Sequence, residues 1–205
     1  MSAKEPVPAQ ARRTTMISPM LKAMANPLRR RIAAELAAVE SARATDLADR
    51  LGVAANSLSF HLRVLAEAGI IEEAPELARD RRDRVWRALP GGLSVGSPSL
   101  PSSTEDSLAL QAYLGQEAED QIRQLQAVVN WGTSYATGED VESRGMLDIA
   151  SLRLSVAEAE DLEAGVLDLL RRIKERSLAD AGDGAERKLW NFSMVMARED
   201  LPGLR

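Results

Sequence analysis

Cysteine is absent from this 205-residue chain, which rules out disulfides, thiolate metal sites and thiol catalysis. Histidine occurs once, as His61, so zinc sites and catalytic arrangements that need several imidazoles are excluded too. No apolar run is long enough to span a bilayer. The opening stretch, MSAKEPVPAQARRTT, has no apolar h-region and holds two prolines, so no signal peptide is read there and a cytoplasmic protein is expected. Lysine is scarce, since arginine supplies 22 of the 26 basic residues. Genomic base composition produces that kind of bias, so an isolated arginine is weak evidence for phosphate binding.

What is present is ordinary in amount and unusual in placement. A hydrophobic content of 45% and a charged content of 28% suit a globular chain, and the length allows one large or two small domains. The net charge of −5 hides a segregation. Residues 1–90 carry 15 Lys and Arg against 11 Asp and Glu, and residues 91–205 carry 11 against 20. A basic amino half joined to an acidic carboxyl half fits a nucleic-acid reader attached to a module that does not bind nucleic acid.

Helical pattern starts near Ser18-Pro19 and restarts at Asn26-Pro27, where Asn as N-cap and Pro at the first helical position form a specific start signal. Ile32, Leu36 and Val39 give this second helix its apolar face. A third helix is expected over 46–51 behind Thr45, ended by Gly52, and a fourth over 54–68, stopped at Gly69. The period then becomes that of strands, with Ile70-Ile71 leading one and Val85-Trp86 the other across a charged, turn-rich tip. The segment 90–104, PGGLSVGSPSLPSST, reads as a linker.

On a helical wheel of the fourth helix, Leu58, Leu62 and Leu65 form the buried stripe. The opposite face carries Asn56, Phe60 and Arg63, with Ser57 and Ser59 on its flanks. Asn pairs bidentately with adenine, Arg with guanine or phosphate, and Ser with several acceptors. Phe60 suits a thymine methyl, or else packs on a neighbouring helix or a second copy. His61 lies on the shoulder of the stripe, without His or Cys partners, and reads as a hydrogen-bonded structural residue. The hairpin tip holds Arg79, Arg81, Arg82, Arg84 and Arg87 within nine positions, placed to lie along phosphates or enter a minor groove. Asp80 and Asp83 partly neutralise it. Arg29, Arg30 and Arg31 are divided between DNA and fold, with at least one bracing the fold.

These strings, LKAMANPLRRRI, TDLADRLGV and above all NSLSFHLRVLAEAGII, resemble the ArsR-like family of winged helix-turn-helix bacterial repressors over about residues 20–89. The resemblance implies a homodimeric winged helix that binds imperfect palindromes and represses transcription until an effector releases it. The chain departs from the family in two ways. It has no thiolate for soft-metal sensing, and Ala54-Ala55 replace the usual polar residue at the start of the recognition helix, leaving Asn56 or Ser57 to cap or to contact DNA.

Beyond the linker, Ala118, Ile122, Leu125 and Val129 define a long amphipathic helix over 105–131. A strand over 147–154 follows, with Ala150, Leu152 and Leu154 on one face. Ser155-x-x-Glu158 is a capping box opening a helix to about Arg176. Trp190, Phe192, Met194 and Met196 alternate with polar residues as a half-buried strand does, and helix-on-sheet packing is expected to cover them. The carboxylates Glu158, Glu160, Asp161 and Glu163 satisfy capping and dipole needs at a helix start, so no catalytic residue, metal site or cofactor is assigned and an enzyme is not expected.

The expected fold is mainly α with a small β component: a winged helix-turn-helix domain, then a long helix and a strand–helix–strand α+β module. The domains are a disordered arm over 1–17, the DNA-binding domain over 18–89, the linker over 90–104 and a dimerisation or effector domain over 105–205. The expected function is a sequence-specific transcriptional regulator, a repressor acting as a homodimer on a palindromic operator. Its partners are double-stranded DNA, a second copy and an unidentified small-molecule effector, with no membrane. A winged helix serving protein–protein assembly without DNA binding remains the alternative.

Overall fold

The computed structural model describes residues 13–80, 83–96 and 104–204. These fall into two compact units, 1–120 and 121–205. Residues 1–12 of the expected arm, Arg81 and Arg82 of the wing, and 97–103 of the expected linker lie outside the described residues.

The first unit is built around helices α1 (Ser18–Met24), α2 (Pro27–Val39), α3 (Ala44–Leu51) and α4 (Ala55–Glu67). The start of α2 follows the sequence signal. Pro27 occupies the first helical position, and the Asn26 side chain accepts the Arg29 N–H at 3.1 Å, satisfying a donor that has no partner within the helix. Gly52 ends α3 in the left-handed conformation, φ 65°, and its N–H returns to the last turn, a geometry only glycine adopts at little cost. Gly69, at φ 72°, does the same after α4. The tight turn at Gly52 sets the angle at which α4 leaves α3.

A three-stranded antiparallel sheet closes the unit, in the order β2 (Ser41–Arg43), β4 (Val85–Ala88), β3 (Ile71–Glu73). The β3–β4 pair is the expected hairpin, with Glu72 opposite Arg87 and Glu73 opposite Trp86, and a 3₁₀ turn at Pro75–Leu77 stiffens its tip. Strand β2 has no counterpart in the sequence reading. Its three residues, Ser-Ala-Arg, have neither β-branching nor alternation to reveal them, and they pair because the turn after α2 lays them beside β4. Two further strands, β1 (Thr14–Thr15) and β5 (Leu93–Ser94), form a short parallel ladder. They fall inside the spans read as disordered arm and as linker, so part of each is ordered by pairing with the other.

Leu21, Ile32, Leu36, Leu47, Leu58, Leu62 and Leu65 are the largest fully buried side chains, and Ile70, Ile71 and Trp86 extend their cluster from the hairpin. Helix α5 (Thr104–Thr137) begins on this core. Ala109 is buried in it, and Leu110 and Tyr113 pack against it. Burial, then the neighbouring Glu117, pushes the Tyr113 hydroxyl up to about 12. Arg30 is also buried here, donating to the Met24 carbonyl at 2.8 Å and to Asp120 at 2.7 Å, with Glu117 3.9 Å away. A buried guanidinium needs such partners, because desolvating an unpaired charge is costly. The first unit thus extends through residue 120, into the helix that composition placed beyond a linker.

In the second unit the rest of α5 is followed by irregular chain, helix α6 (Val156–Ala179) and irregular chain again. The capping box of α6 is formed: Ser155 Oγ accepts the Glu158 N–H at 3.3 Å and Glu158 accepts the Ser155 N–H at 2.8 Å. Gln124 Nε2 donates to the Asn191 carbonyl at 2.8 Å, and Lys188 lies 3.3 Å from Glu142. The strands expected over 147–154 and 190–196 are corrected: both segments are without regular secondary structure and form no ladder among the described residues. The packed core expected around Trp190, Phe192, Met194 and Met196 is also missing, as all four are exposed.

The leucine stripe sets the stability of the first unit. Replacing Leu62 with alanine should lower its unfolding free energy by about 2–5 kcal/mol in urea titrations, the range for emptying a fully buried leucine site. A loss below about 1 kcal/mol would mean that this side chain does not fill the core.

Candidate nucleic-acid interface

Helix α4 carries the candidate contact face. Leu58, Leu62 and Leu65 are 0% exposed, so they fix the rotation of the helix about its own axis. The opposite face consequently reaches solvent. Asn56, Ser57, Ser59, Phe60 and Arg63 are all exposed, the sequence-derived set in full. Ser59 Oγ donates to the Ala55 carbonyl at 3.1 Å, and Arg63 Nε donates to the Ser59 carbonyl at 3.4 Å. Both are weak, exposed bonds back to the helix's own turns, and a ligand can replace them.

Phe60 is 56% exposed. Its ring meets His61 edge-on, with centroids 5.5 Å apart and planes at 75°, and otherwise projects outward. Within the single chain this excludes the alternative in which Phe60 packs on a neighbouring helix. The start of α4 has Ala54 as N-cap and no side-chain cap, so neither Asn56 nor Ser57 serves as one. Peptide N–H groups of the first turn therefore point outward at the positive end of the helix, an arrangement that favours a phosphate.

His61 differs in detail from its sequence reading. It is half-buried, but its Nδ1 is buried without a hydrogen-bond partner among the described residues. Burial, then the nearby Arg29 charge, holds its pKa below the ordinary histidine value. A neutral imidazole is thus favoured beside the exposed face.

The arginines separate into braces and projections. Arg29 donates to the Ala23 and Lys22 carbonyls, Arg30 is buried on Asp120, and Arg31 donates to the Leu51 carbonyl at 3.1 Å. All three tie α2 to its surroundings. Arg43, which the sequence reading did not single out, grips Asp46 through two bonds at 2.9 and 2.7 Å and lies 3.8 Å from Asp83, linking α3 to the wing. This pairing raises the Arg43 pKa and lowers that of Asp46. Arg87 on β4 pairs with Glu72 at 2.7 Å and Glu76 at 2.8 Å, so it is part of the wing's frame rather than its contact surface. Arg79 and Arg84 are exposed, with Arg84 3.9 Å from Glu73. Asp80 accepts the Asp83 N–H at 3.0 Å, closing the turn at the tip. The two acids read as neutralising the tip therefore also shape it.

Among the described residues, no group of three or more His, Asp or Glu is placed to hold a metal, and no helix is long and apolar enough to cross a membrane. The chemistry available on this face is hydrogen bonding, apolar contact and positive charge, arranged along one helix and one hairpin.

His61 provides a direct test of the packing behind that face. Because its folded pKa is depressed, the unfolded chain takes up the proton first as pH falls, so the associated stability is complete above about 6.5 and is lost on acidification. The single imidazole should give one titrating ring resonance by NMR with a midpoint below about 6.5, and His61→Gln should reduce the acid-side loss of stability. A midpoint at or above the ordinary value would contradict the burial of this ring. With the geometry in hand, residues 24–74 also match the family model of a helix-turn-helix domain, a span from the end of α1 to just past β3. No curated protein matches the chain. The match supports a helix-turn-helix DNA-binding regulator.

Proposed function

We propose that this chain is a sequence-specific DNA-binding transcriptional regulator, a repressor that acts as a homodimer on a palindromic operator. The observation that carries the reading is the α4 face, five exposed contact residues backed by three fully buried leucines. A rigid helix that presents Asn, Ser, Phe and Arg outward has the donors, acceptors and apolar surface with which a major groove is read. Arg79 and Arg84, with Arg81 and Arg82 between them in sequence, supply phosphate or minor-groove contacts beside it. Symmetric dimers place two recognition helices about one helical turn apart, 34–36 Å, on operators of matching symmetry. The effector in this reading is a small molecule other than a soft metal, because the chain has no thiolate. Such a repressor works where the bacterial chromosome lies, in the cytoplasm.

Two variants distinguish the parts of the interface, read on DNA fragments enriched by the purified protein. Replacing Arg81, Arg82 and Arg84 together with alanine should weaken binding alike on all sequences and make the salt dependence shallower by about one unit or more. An unchanged slope would remove the wing from the interface. Asn56→Ala should relax preference at particular base pairs by about 1–3 kcal/mol, whereas an equal loss on every operator variant would deny it a base contact. Absence of affinity for any duplex at low salt would leave the winged helix as a protein-assembly module.

A further inference from the structure

The unit formed by 121–205 has no buried residue among its described positions. Ordering a chain of that length costs backbone and side-chain entropy that only burial of apolar surface offsets. The apolar surface is present but open. On α6 the stripe Leu162, Leu169 and Ile173 is exposed, and Trp190 and Phe192 are 59% and 60% exposed. The segments 147–154 and 189–196 make no backbone–backbone hydrogen bond among the described residues.

We propose that the exposed stripe of α6 is completed by the same stripe of a second copy, the two α6 helices running antiparallel. The inference rests on the homodimer reading above and names the surface responsible for it. The sequence of α6 identifies a second copy, rather than a foreign protein, as the occupant. Leu162, Val166, Leu169 and Ile173 are spaced four, three and four residues apart, the same in either direction. A two-fold axis near the middle of the helix therefore sets Leu162 against the partner's Ile173, and Val166 against the partner's Leu169.

Charge obeys the same symmetry. At about 100° per residue, Glu163 and Lys174 flank the stripe on one side, and Asp161 and Arg172 on the other. Antiparallel pairing brings acid to base along both flanks, whereas parallel pairing sets like against like. In the single chain Arg172 rests on Asp168 at 3.0 Å, an exposed pair of little energetic weight.

Charge-swapped full-length proteins test this by light scattering at micromolar concentration. One variant carries Asp161→Lys and Glu163→Lys, the other Arg172→Glu and Lys174→Glu. The unsubstituted chain should be dimeric, each variant alone should self-associate about tenfold or more weakly, and an equimolar mixture should dimerise again. Recovery on mixing also shows that both variants fold. A monomeric unsubstituted chain would overturn this surface and the homodimer reading together. Dimers that persist in both variants would leave the homodimer reading standing and overturn α6 as its seam. Variants that fall apart and do not recover on mixing would overturn the antiparallel arrangement.

Discussion

The rotational setting of α4 is the constraint from which the rest of the first unit follows. Three leucines at helical spacing are withdrawn completely from water, and each would lose on the order of 2 kcal/mol of transfer free energy if turned outward. The helix therefore has one favourable orientation, and every side chain opposite the stripe is committed to solvent. That commitment makes an exposed Phe60 intelligible. The exposed ring follows from a packing decision made on the other side of the helix.

Around this helix, the basic residues are divided by what surrounds them. Where carboxylates or main-chain carbonyls lie within reach, the guanidinium is used internally, as with Arg30 on Asp120, Arg43 on Asp46 and Arg87 between Glu72 and Glu76. At the wing, Asp80 caps the Asp83 amide, Arg79 is exposed, and Arg84 stays exposed with Glu73 3.9 Å away. The same frame runs into α5, whose first turns bury Ala109 and place Asp120 against Arg30. Helix α4, the β3–β4 hairpin and the start of α5 thus share one core.

The two units satisfy the burial requirement differently. The first closes a core from short helices and a small sheet. The second has sound local structure, with a complete capping box at Ser155 and Glu158 and internal ion pairs along α6 such as Arg171 with Asp168 and Glu175, yet its apolar side chains remain open. Local signals act within a few residues and are satisfied in a lone chain. A core requires surfaces facing one another, and among the described residues of this unit none is buried.

The helices of the first unit were legible because their signals are local. Asn26-Pro27 started α2, Gly52 ended α3, and the 3.6-residue period of Leu58, Leu62 and Leu65 located both the buried and the exposed faces of α4. The capping box of α6 was legible for the same reason. Strand β2 was not, because Ser-Ala-Arg carries no pattern and is a strand only by lying next to β4. Nor was the ladder between Thr14–Thr15 and Leu93–Ser94, which joins positions far apart in the chain. The sequence counted the arginines but could not sort them, since a charged side chain becomes a brace or a contact according to which carboxylate the fold brings near it. The amino-acid order alone thus determined the periodic elements and the outward face of α4. The three-dimensional arrangement decided strand pairing, the division of charge and the absence of a closed core beyond residue 120, because each depends on surfaces meeting across long separations in the chain.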